Sequence, residues 1–109
     1  MMIELEFSRK TFAVLMFENI LRDHTQPYDR GVHFTDQKID DNLRVSIKLT
    51  PKDSVILFTK LKDLVPRVSL GFKTQFRKKM NEIKTQVFAL KAYKKLDYAQ
   101  KQEIKEYFL

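Results

Sequence analysis

Residues 67–95 hold nine cations, Arg67, Lys73, Arg77, Lys78, Lys79, Lys84, Lys91, Lys94 and Lys95, against the single acid Glu82. Residues 1–65 balance ten basic side chains with ten acidic ones. The formal net charge of +7 therefore resides in residues 66–109, where eleven face four. Charge concentrated on one element attracts polyanions, and nucleic acid is the commonest of these. On a helix turning about 100° per residue, Lys73, Arg77, Lys84, Lys91 and Lys95 share one flank, where they can meet successive phosphates. Arg77, Lys78 and Lys79 form a compact cluster beside Phe76. A solvated helix face that keeps the protein soluble accounts for the same residues, as does attraction to an acidic protein or membrane surface.

The other candidates are weaker. His24 and His33 flank a loop with Asp23, Asp29 and Arg30, but their spacing matches no metal-ligand motif, and histidines in polar loops are usually plain surface residues. Asp36, Asp40 and Asp41 lack the glycine and terminal glutamate of a calcium loop, and turn chemistry explains them better. Two Glu-Ile-Lys strings, Glu82 to Lys84 and Glu103 to Lys105, echo half of a nuclease signature yet fall in helical patterns. With no cysteine, thiolate chemistry, zinc knuckles and iron–sulfur sites are excluded, and a reducing compartment, the cytoplasm, is the simplest fit. No catalytic, metal or cofactor role is expected.

Two apolar features could bind a partner. The tail Tyr107, Phe108 and Leu109 can dock in a pocket on another protein, or fold back on the domain's own core; fold-back avoids leaving an aggregation-prone aromatic end. Phe72, Phe76, Met80, Ile83, Val87 and Leu90 recur at spacings of three and four, a seam for internal packing or for a homodimer.

The elements that position these residues follow from periodicity. Residues 2–7 alternate, with Ile3, Leu5 and Phe7 on one face, as do residues 32–35 and, most cleanly, 43–49, so three antiparallel strands are predicted. Ser8 caps a helix that runs through Phe12, Leu15, Ile20 and Leu21 to about His24, apolar on so many sides that deep burial is expected. Thr50, Pro51 and Asp53 start a second helix with a capping box, and Pro66 ends it. A long amphipathic basic helix follows from Gly71 to a break at Leu96 and Asp97, then a short terminal helix. Residues 67–72 also alternate; as a fourth strand they would give the ferredoxin-like order, which invites comparison with RNA-recognition modules. The outward strand positions Glu4, Glu6, Arg44, Ser46 and Lys48 provide no aromatic platform for bases, so any likeness ends at element order.

The chain is thus predicted to be a single α+β domain, a small three-stranded antiparallel sheet packed by helices, with a long basic amphipathic helix and a short terminal one. Its longest apolar run, residues 12–17, is far shorter than the ~20 residues needed to span a bilayer, so no membrane partner is expected. The functional expectation is a small, non-enzymatic accessory protein binding DNA or RNA non-specifically through the nine cations. The alternative is a protein-interaction module, a phage or mobile-element type of regulator or inhibitor, docking on a larger and partly acidic partner.

Overall fold

A computed structural model describes residues 2–23 and 31–109. Strand β1 (Ile3–Ser8) leads into helix α1 (Arg9–Phe17), then β2 (Leu21–Asp23), β3 (Val32–Ile39) and β4 (Arg44–Leu49). Helix α2 (Pro51–Leu64), a 3-10 turn (Val65–Arg67), α3 (Leu70–Ala89), α4 (Lys91–Lys94) and α5 (Tyr98–Glu106) complete the order. The class is α+β, but the sheet has four strands in the order β1-β4-β3-β2 and is mixed. β4 pairs antiparallel with β1 and β3, while β2 lies parallel to β3.

The extra strand corrects the expected three-stranded antiparallel sheet and the expected end of the first helix, and it is not the alternative strand at residues 67–72. Residues 67–72 do not form it: Arg67 closes the 3-10 turn, Val68 and Ser69 are extended, and Leu70 already opens α3, so the ferredoxin-like order is absent. The fourth strand lies instead inside the stretch read as the end of the first helix. That helix stops at Phe17 because Asn19 adopts a left-handed conformation at φ 58. The Asn19 amide donates to the Met16 carbonyl and the Ile20 amide to the Leu15 carbonyl, a Schellman ending that satisfies the last carbonyls. Ile20 and Leu21 are then buried beside the sheet rather than on a helix. Nor is α1 buried on most sides, for Phe17 is 83% exposed. Gly31 lets β3 begin close by: at φ 101, a Cβ there would meet the Asn19 carbonyl oxygen at 2.5 Å.

β3 runs past Thr35 through a bulge, in which Asp36 takes φ 53 and two residues of β3, Asp36 and Gln37, oppose the single residue Ile47 of β4. In the following turn, the Asp40 carboxylate accepts from the Asn42 and Arg44 amides, both at 2.9 Å. At α2, the Thr50 hydroxyl accepts from the Asp53 amide at 3.1 Å. Asp97 and Gln100 close a full reciprocal box at the start of α5.

One sheet face is buried. Ile3, Leu5, Phe7, Val45, Ile47, Leu49, Val32 and Phe34 join Leu57, Leu61, Phe76 and Ile83 in a shared core, whereas Glu4, Glu6, Arg44, Ser46 and Lys48 face outward. The seam of α3 is consumed by that core. Phe76, Ile83 and Val87 are buried and Phe72, Met80 and Leu90 pack against the core, which is the internal-packing use of the seam.

Candidate nucleic-acid interface

Helix α3 carries the candidate surface, and three contacts fix how it sits. Its seam packs against α2 and the sheet core. Along the open edge of β1, the Gln86 side chain accepts from the Glu4 amide at 3.0 Å and donates to the Glu4 carbonyl at 2.7 Å, pairing with the edge as a neighbouring strand would. One heptad earlier, Lys79 lies on the same flank. Its Nζ donates to Glu82 Oε2 at 3.0 Å and stands 5.5 Å from the centre of the Phe7 ring.

With Lys79 and Gln86 turned to the sheet, helix geometry decides where the other cations go. Measured from Phe76, Lys79 and Gln86 lie about 60–80° to one side, and Lys73, Arg77 and Lys84 about 60–100° to the other. Arg77 and Lys84 are exposed and Lys73 half-buried; Lys78 is exposed on the outer face between the flanks, and Arg67 is exposed just before the helix. None of these five has an ion-pair partner among the described residues. From Lys73 to Lys84 the row covers about 16 Å at 1.5 Å per residue.

The nine cations do not form one line. Lys79 is 2% exposed and paired, so it offers nothing to a ligand in solution. The flank drawn through Lys91 and Lys95 is also interrupted. α3 ends at Ala89, and Leu90 takes an extended conformation at ψ 138, redirecting the chain before α4. Lys91, Lys94 and Lys95 are exposed, but on a separate turn. Sequence spacing carried a signal for Lys79: Phe72, Phe76, Lys79, Ile83, Gln86 and Leu90 follow alternate steps of four and three, which places two polar residues on the edge of the seam.

The three tail residues also separate. Phe108 is buried edge-on against Phe58 and Phe88, with ring centres 4.8 and 5.4 Å away, so it belongs to the core and cannot anchor a partner. Tyr107 and Leu109 remain exposed, and the Leu109 carbonyl accepts from Lys62 Nζ. His33 lies on β3 opposite Arg22 of β2. His24, Asp29 and Arg30 lie outside the described residues. Asp36 faces Lys48 at 3.8 Å, and no group of three or more potential metal ligands occurs among the described residues. No described helix is long and apolar enough to cross a membrane.

A second surface had no linear signature. Residues of α2, α3, α4 and α5, together with Leu96, enclose an apolar groove of about 510 Å³. A smaller cleft of about 240 Å³ lies between the starts of α1 and α3, beside Lys10 and Ser69. No family model matches the chain, and comparison with curated proteins and with solved structures finds no match either.

Proposed function

We propose that this is a small, non-enzymatic accessory protein that binds nucleic acid without sequence preference, laying Lys73, Arg77 and Lys84 along a phosphate backbone with Arg67 and Lys78 beside them. The observation that supports this reading is the row itself: cations on one rigidly seated helix, with no acid among the described residues to neutralise them. Binding then releases counterions from the phosphates without breaking any ion pair of the protein. The polar outward sheet face and the lack of an aromatic platform on it suit backbone contact rather than base reading. A cysteine-free chain of this kind belongs in the reducing cytoplasm.

Five phosphate contacts on duplex DNA imply a slope of about −4.5 in log affinity against log salt. The triple variant Arg77→Gln, Lys78→Gln, Lys84→Gln should reduce that slope by about 2.7 and weaken binding equally on unrelated sequences. Fluorescence anisotropy with labelled duplexes and single strands across a salt series measures both quantities. Unchanged affinity and slope in the triple variant would rule the surface out.

A further inference from the structure

We infer that the groove between α2, α3, α4 and α5 is a docking site for an acidic amphipathic helix of a partner protein. The inference is independent of the nucleic-acid surface. The groove's volume of about 510 Å³ is within the range of functional pockets, and it is open enough to leave Ile56 39% and Tyr107 59% exposed. Val55, Leu90, Tyr93 and Ile104 continue the apolar lining, a continuous patch that water would otherwise cover.

The walls select a helix. Most of them are helical, with backbone groups already bonded within each helix, and among the described residues no strand edge lines the groove to pair with an extended peptide. A chain segment seated on such walls must satisfy its own amides and carbonyls, as an α-helix does, and its anchors would recur at i, i+3 or i+4, and i+7.

The rim selects acidic flanks. Lys52 is the one charged side chain among the described residues lining the groove. Lys91 and Lys94 stand on either side of Ala92 and Tyr93 of the lining, and the Lys101 ammonium lies 5.9 Å from the centre of the Tyr93 ring. None of these four has an ion-pair partner among the described residues. The nearby acids lie outside the lining or are occupied: Glu103, one turn before Tyr107, and Glu106 do not line the groove. The Asp97 carboxylate accepts from the Gln100 amide at 2.8 Å, and Asp53 does not line the groove.

The test uses the full chain and a labelled synthetic helix of about 18 residues, leucine at i, i+3, i+4 and i+7 positions and glutamate elsewhere, beside its counterpart with lysine for glutamate. The acidic peptide should bind at least about tenfold more tightly than the basic one. Ile56→Asp and, separately, the more exposed Tyr107→Ser should each weaken it about tenfold or more, Lys94→Glu severalfold, and Arg77→Gln not at all. Circular dichroism of each variant confirms the fold, and Tyr107→Ser decides the matter if Ile56→Asp fails to fold. Equal binding of the two peptides, or indifference to the groove variants, overturns the inference. So does saturable uptake of dodecanoate without peptide binding, or a dimer in sedimentation that Tyr107→Ser dissolves.

Discussion

Lys79 and Lys78 are neighbours in sequence with opposite fates, and exchanging the partners of Lys79 distinguishes a structural cation from a binding one. Its ammonium is enclosed between Glu82, 3.0 Å away, and the Phe7 ring, while Glu82 itself keeps 36% of its side-chain surface in water. Removing one partner of a buried ion pair typically costs about 3–5 kcal/mol because the remaining charge is stranded. Here the partial exposure of Glu82 and the cation–π contact lower that to about 2 kcal/mol for Glu82→Ala. An unfolding entropy of about 2.1 cal/mol/K per residue gives about 0.23 kcal/mol/K for this chain. The thermal midpoint should therefore fall by about 9 °C. Lys79→Met strands only Glu82, which water can solvate, and puts an apolar chain against Phe7; it should move the midpoint by less than about 4 °C. The double variant should resemble Lys79→Met alone. Scanning calorimetry of the four proteins measures the cycle, and nucleic-acid affinity should be unchanged in Lys79→Met but reduced in Lys78→Met. A Lys79→Met loss equal to or larger than that of Glu82→Ala would refute the reasoning, because it would mean the pair contributes net stability rather than compensating a buried charge.

Gln86→Leu removes both hydrogen bonds to Glu4 and uncovers the β1 edge; a loss of about 1–3 kcal/mol in urea unfolding, with a rise in light scattering on concentration, is expected. Phe108→Ala empties the space between Phe58 and Phe88 and should cost about 3–5 kcal/mol by the same measurement, while Leu109→Ala, exposed at the end of the chain, should change little.

The alternation in β1 and β4 and the cap at Thr50 were legible because each rests on a local rule that the core reinforces. The end of α1 was not. Apolar residues run with little interruption from Phe12 to Leu21, and hydrophobicity alone does not show that Asn19 turns the chain left-handed and hands Leu21 to a strand, with Ile20 in the turn before it. β3 extends beyond its alternating residues for a related reason: its bulge at Asp36 places polar residues where alternation would continue, so the strand resembles a loop. At the candidate interface, periodicity identified the flank of Lys73, Arg77 and Lys84. It did not reveal that Leu90 breaks the helix, since no glycine or proline marks the site. The groove was beyond any local reading, because its lining is drawn from positions between 51 and 107 that only tertiary packing brings together.

The clasp of Gln86 on Glu4 joins residues 82 positions apart. During translation, at about 5–20 residues per second, the first strand emerges several seconds before the side chain that seals its outer edge. Throughout that interval the nascent sheet can recruit a stray strand from a neighbouring polypeptide. Ribosomal pauses between β4 and α3 would lengthen the exposure, so synonymous codon changes in that stretch of the message should alter soluble yield while leaving the purified protein's stability untouched.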